Sequence, residues 1–204
     1  GSAFKQTIDK LESSGYEIVD VSLEGLSEAL AVYYIIMPAE VSSNLARYDG
    51  VNFGNRLQDD DLMTQYINTR RDGFGEEVTR RILLGTYVLS AGYYDAYYRT
   101  AVRAREAIKQ EFAEVFADVD AIATPTSPTV AFPLDDKTDD PLAMYAQDMF
   151  TVSANIAGIP ALSVPAGSVK KDESDLPVGF QLQAPHGHEK TLFAIGEDVE
   201  AVHS

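Results

Sequence analysis

Three kinds of side chain in this 204-residue sequence could do chemistry: adjacent serines, a few histidines, and charged residues set among aromatic ones. The serine pairs are Ser13-Ser14 and Ser42-Ser43. A serine attacks only when a neighbouring base takes its proton, and neither pair has an evident partner base. Ser42-Ser43, followed by Asn44, reads as a polar turn or helix cap. The histidines are His186, His188 and His203. His186-Gly187-His188 offers two metal ligands without a third, in a Pro/Gly turn, so it reads as ordinary loop histidines and no metal is expected. Gly73-Phe74-Gly75 precedes a helical pattern but lacks the lysine and spacing of a phosphate loop. The acids Asp59 to Asp61 and the pair Asp139-Asp140 read as solvated runs. The most informative stretch is Tyr33 to Gly54, YYIIMPAEVSSNLARYDGVNFG. Neither a helix period nor a strand alternation explains it along its whole length.

Charge narrows the partners. Thirty-two acids against 16 bases give a formal net charge of −16. Such a chain repels phosphate backbones, so direct contact with nucleic acid is not expected. A solvated acidic surface that aids solubility accounts for the charge, and a salt-rich cell interior is the sharper alternative. No cysteine is present, which excludes disulfides and cysteine metal sites. No apolar run approaches a membrane span and no signal peptide is visible, so a cytoplasmic protein is expected. With 45% hydrophobic residues the chain can bury a core, and a single domain over residues 1–204 is expected, Gly1-Ser2 reading as a remnant of cloning.

The elements that must position these residues follow from spacing. Phe4, Ile8 and Leu11 recur at helical intervals and end at Gly15, a plausible cap. Residues 17–23 alternate, with Val19, Val21 and Leu23 on one face of a predicted strand. Residues 27–45 read as helix, although Pro38 must start, kink or break a segment. Residues 55–72 read as loop with a short helix over 62–67. Residues 76–119 read as two helices split near Gly92 to Tyr94, with a buried stripe of Tyr97, Ala101, Ala104, Ile108, Phe112 and Val115. A short strand is predicted at 120–124, a helix from Pro141 to about Asn155, and a strand at 161–164. A charged loop is expected at 170–175. Val178, Phe180, Leu182 and Ala184 alternate as a strand able to face solvent on one side, and residues 189–202 close the chain as a helix. Helices and strands alternate, which favours a layered α/β fold.

Three blocks, taken together, resemble a known family. They are Tyr33 to Gly54 above, GFGEEVTRRILLGTYVLSAGYYDAYY (Gly73 to Tyr98) and DPLAMYAQDMFTVSANIAGIPALSVPAG (Asp140 to Gly167). In this order they resemble segments of the amidase-signature enzymes, and within them the glutamine-hydrolysing subunits of tRNA-dependent amidotransferases. The resemblance implies an α/β fold with short strands in a mixed sheet covered by helices. It implies that Tyr33, Arg81 and Asp148 match the glutamine-binding set. Glutamine is a zwitterion, so its pocket needs a cation for the α-carboxylate and an anion for the α-ammonium. The planar fork of an arginine takes both carboxylate oxygens. An aspartate suits the ammonium, and a tyrosine offers a flat apolar face with a hydroxyl at its edge. Arg81 without the resemblance reads as a surface partner of Glu76 and Glu77 one turn back. Arg80 and Tyr34 are the neighbours that a one-residue register error would substitute. Asp148 is expected in a mostly buried helix, on the evidence of Ala143, Met144 and Phe150.

The resemblance also implies what is missing. The family works with a lysine and two serines, the serines lying in a Gly/Ser-rich segment in the front half of its chains. This sequence contains no such segment. It is therefore expected to be a C-terminal portion with no catalytic residue and no activity of its own. Ammonia from glutamine would pass to a partner B-subunit, which uses ATP and Mg²⁺, with a C-subunit clasping both. No cofactor is expected in this chain. A fragment of another amidase-signature hydrolase, or a scaffold without turnover, is the alternative. Bare strand edges would favour self-association.

Overall fold

A computed structural model describes residues 2–134, 141–171 and 173–203. The described residues form eight α-helices and three strands. They divide into two compact units, Gly1–Leu30 with Arg105–Ser204, and Ala31–Ala104.

The first unit is built on an antiparallel sheet of β1 (Ile122–Pro125), β2 (Ala161–Lys171) and β3 (Ser174–Gln183), in the order β1-β3-β2. Pairs such as Leu162↔Leu182 and Val164↔Phe180 place apolar side chains on one face. That face packs against Phe4, Ile8 and Leu11 of α1 (Ser2–Ser13) and Leu192, Ile195 and Val199 of α8 (Glu189–Ala201). Phe4 and Phe180 stack with ring centroids 5.0 Å apart. α1 ends as predicted: the Tyr16 N–H donates to the Leu11 carbonyl and the Gly15 N–H to that of Glu12, with Gly15 at φ 103°. This paired closure needs a left-handed residue, which glycine supplies without a Cβ clash.

Several predicted boundaries change. Residues 17–23 form no strand, and Ile18, Val19 and Val21 are exposed. A strand exists only through pairing, and none of the three described strands pairs with this segment. β2 is longer than predicted and runs through Pro165, with a register shift between Pro165 and Ser168. Proline is tolerated there because β2 pairs on one side only. The expected charged loop is instead the end of the β2–β3 hairpin, where Lys170 faces Asp175 and Lys171 faces Ser174.

The face of β3 expected to meet solvent is buried. Gln181 is 3% exposed and Gln183 1%. The Gln181 Nε2 donates to Thr124 Oγ1 and to the Phe150 carbonyl, both at 2.9 Å. The Gln183 Nε2 donates to the same carbonyl and to Ser153 Oγ, each at 3.4 Å. These bonds explain a second change. The helix predicted from Pro141 to about Asn155 is broken into α6 (Pro141–Tyr145), a 3₁₀ turn (Ala146–Asp148) and α7 (Val152–Ala157). The Phe150 carbonyl accepts from the two glutamines and from Ser153 Oγ, the last at 2.9 Å, instead of from a helix ladder. Thr151 closes the turn, its N–H and its Oγ1 both donating to the Asp148 carbonyl at 3.0 Å. The acid pair Asp139-Asp140 lies outside the described residues.

The second unit is helical. It contains most of α2 (Leu26–Asn44), then α3 (Leu62–Gly73), α4 (Glu76–Val88), a π-helical turn (Tyr94–Tyr98) and the start of α5 (Arg99–Val115). Pro38 neither starts nor ends α2; the helix continues through it. Gly85 of α4 lies against the Pro38 carbonyl, where any Cβ would collide. α3 starts where predicted, at Leu62, where Asp61 caps it, its Oδ2 accepting from Thr64 N at 2.8 Å and Thr64 Oγ1 at 2.7 Å; it runs on to Gly73, beyond the predicted end at 67. The split after α4 falls where expected, with Gly92 at φ 87°. Of the predicted stripe, Ala101, Ile108 and Phe112 are buried, whereas Tyr97 is 46% exposed and stacks on Tyr93.

Candidate functional site

Two of the three residues that the resemblance assigns to glutamine, Tyr33 and Arg81, belong to one unit. Tyr33 and Tyr34 are half-buried on α2, their rings edge to face with centroids 5.1 Å apart. Arg81 rises from α4, and its guanidinium lies over the Tyr34 ring at 5.7 Å. A cation over an aromatic face is attracted by the ring quadrupole. The Met37 sulfur lies 3.5 Å from Arg81 Nη1. Glu77, one turn back, accepts from Arg81 Nε at 2.8 Å. The i,i+4 pairing expected of an ordinary helix surface is therefore present, with an aromatic wall added to it.

Register separates the two arginines. The Arg81 side chain is 25% exposed and Arg80 47% exposed. Arg80 pairs with Glu76 and with the other oxygen of Glu77. Arg81 is thus the arginine that faces α2. Burial is the largest influence on its proton affinity and lowers it. The Glu77 carboxylate and the Tyr33 hydroxyl outweigh that, holding the guanidinium above its ordinary value.

Asp148 lies in the other unit, as the last residue of the 3₁₀ turn, and is exposed. The expected buried helix is not found: Ala143 and Met144, in the short helix α6, are exposed as well. The Glu77 pairing is the one that i,i+4 spacing predicts for Arg81 without the family resemblance. Tyr34, which the sequence offers only as the neighbour of Tyr33, is the ring that the guanidinium meets. Nothing in the sequence signalled Met37, because a methionine in an apolar run reads as core.

The other candidates resolve simply. Ser42 Oγ donates to the Ala39 carbonyl at 2.8 Å, the behaviour of a helix hydroxyl. His188 precedes α8, and His203 Nε2 lies 2.8 Å from Thr7 Oγ1. Among the described residues no three metal-binding side chains gather. The open clefts among the described residues include two of similar size. One of about 360 Å³ is lined by neutral groups, including Thr126, Thr151, Asn155, Ser163 and Gln181. The other, of about 370 Å³, is lined by Arg56, Gln58, Asp59, Asp60 and Gln65. Neither includes Tyr33, Arg81 or Asp148.

The amidase family model matches residues 1–193, and the chain belongs to that family. Among individual proteins it is similar to the glutamyl-tRNA(Gln) amidotransferase A-subunit of Maricaulis maris, 54% identical over 198 residues, which are 97% of this chain and 40% of that protein. The corresponding A-subunit of Halothermothrix orenii is 54% identical over 180 residues, 88% of this chain and 37% of that protein. The chain thus spans about 40% of the length of the curated relatives it matches. The crystal structure of the A-subunit from Thermotoga maritima aligns with a TM-score of 0.63 at 39% identity, over 91% of this chain and 34% of that one. A 6-aminohexanoate cyclic dimer hydrolase aligns with a TM-score of 0.73 at 18% identity, over 98% and 40%, and so shares the fold. The expected fold class holds: helices over a small sheet, on the amidase-signature plan. No helix among the described residues is long and apolar enough to cross a membrane.

Proposed function

We propose that this chain is the glutamine-recognising, C-terminal part of a glutamyl-tRNA(Gln) amidotransferase A-subunit. The observation that carries this reading is Arg81, a part-buried guanidinium held against two tyrosines in a chain 54% identical to such a protein. Arg81 takes the α-carboxylate of glutamine, Asp148 the α-ammonium, and Tyr33 flanks the side-chain methylenes. The two units belong to one amidase domain, a reading supported by a family match that runs through both. The nucleophile and its lysine are supplied by residues outside this sequence, so the chain alone releases no ammonia from glutamine. In the assembled enzyme the ammonia passes to the B-subunit, which activates Glu-tRNA(Gln) with ATP and Mg²⁺, while the C-subunit holds both. This chain itself needs no cofactor, contacts no tRNA directly and works in the cytoplasm. On its own it self-associates through exposed apolar side chains such as Val19, Val21 and Leu83.

Calorimetric titration of the full-length protein with glutamine tests the pocket. Arg81→Ala should weaken binding roughly 10- to 100-fold, since a hydrogen bond to a charged group contributes about 1.5–3 kcal/mol. Unchanged affinity would remove Arg81 from the pocket and favour another amidase-signature hydrolase.

A further inference from the structure

Arg81 is not merely present on α4; its surroundings fix the plane of its guanidinium. We propose that Glu77 is a positioning residue that presents Arg81 to a carboxylate ligand. This rests on the reading of Arg81 given above. One Glu77 oxygen accepts from Arg81 Nε, the other from Arg80 Nη1. The two arginines thereby share one carboxylate, and each is steered by a different oxygen. An arginine side chain has several free torsions, and a partner on Nε sets the last of them. The Tyr34 ring at 5.7 Å and the Met37 sulfur at 3.5 Å from Nη1 supply the other walls. A bidentate grip on a carboxylate depends on that plane being set beforehand, because planar, two-point recognition fails when the fork is turned.

Charge alone makes the opposite forecast, which gives the idea its edge. The Glu77 carboxylate lies beside Arg81 and repels an incoming carboxylate. If only charge mattered, losing Glu77 would tighten the ligand. If orientation matters more, losing the acceptor weakens the ligand, whereas keeping the acceptor and removing the charge does not.

The experiment measures KM and kcat for glutamine with the full-length protein in its complex. Glu77→Met keeps the length and helix propensity of the side chain but removes the acceptor, and should raise KM about three- to tenfold with kcat within about twofold. Glu77→Gln keeps an acceptor oxygen and should leave KM within about twofold of the parent or lower it. In an Arg81→Ala background Glu77→Met should add nothing, because it acts only through Arg81. Glu77→Ala serves in the same design if the methionine variant does not assemble. A KM that is unchanged or lowered in Glu77→Met overturns the proposal. A KM rise that persists in the Arg81→Ala background overturns it too, since the effect would then be structural. If Arg81→Ala alone leaves KM unchanged, the reading of Arg81 itself fails, and the role of Glu77 falls with it.

Discussion

The two units rest on different balances. In the first, one sheet face is closed by α1 and α8 into an apolar core, and the other face is tied by glutamine amides to the Phe150 carbonyl. Its contacts join residues far apart in the chain. In the second, large apolar side chains remain on the surface, with Leu83 66% and Met63 63% exposed. Its definite contacts are mostly local: helix-turn ion pairs, adjacent tyrosines, and the Asp61 cap. The contacts between distant parts of the chain are thus best developed in the sheet unit, and the candidate ligand arginine sits in the helical one. A ligand-binding element drawn from a less tightly packed region can adjust without unfolding the whole.

Truncating the core of the sheet unit is the harshest test of that contrast. Phe180 is fully buried and stacked on Phe4. Phe180→Ala should cost about 3–5 kcal/mol in urea denaturation. A loss under about 1 kcal/mol would mean that the sheet does not carry the stability. The next test acts on the helical unit. Gly85→Ala drives a methyl into the Pro38 carbonyl and should cost about 1–3 kcal/mol. Amide exchange should then speed up over Glu76–Val88 and stay slow in β3. Equal acceleration in both places would show that the units unfold as one.

The smallest effect sharpens the contrast inside the sheet unit. Thr7 Oγ1 donates to the Ala3 carbonyl at 3.0 Å, so its oxygen accepts from His203 Nε2–H at 2.8 Å. Burial, and then the nearby Lys10, hold the His203 pKa below its ordinary value of 6.5. A depressed folded-state value means that the unfolded chain takes the proton first. The contribution of His203 is thus intact above pH 6.5 and is lost as pH falls below it through the folded value. Melting at pH 7.5 and 5.5 should show a modest loss on the acid side that His203→Gln reduces. An identical acid dependence in the variant would exclude this histidine.

Legibility followed contact range. α1 and its Gly15 closure, the break near Gly92 and the final helix were readable, because each is fixed by residues within one or two turns. Asp61 stands in a run of acids that reads as solvated, yet its side chain caps α3, a local event hidden by its acidic neighbours. Residues 17–23 carry strand alternation without a described strand to pair with. The buried glutamines read as a solvent face because alternation reports polarity, not what lies above it.

The order of side chains was enough to fix the family resemblance, the helical spacing and the proximity of Glu77 to Arg81, since a helix brings residues four apart together wherever it forms. Folding in three dimensions alone decided that Arg81 rather than Arg80 meets the tyrosines of α2, and that the Phe150 carbonyl leaves its helix for two amides on β3. Both depend on elements separated along the chain, and no local preference encodes which of them will touch.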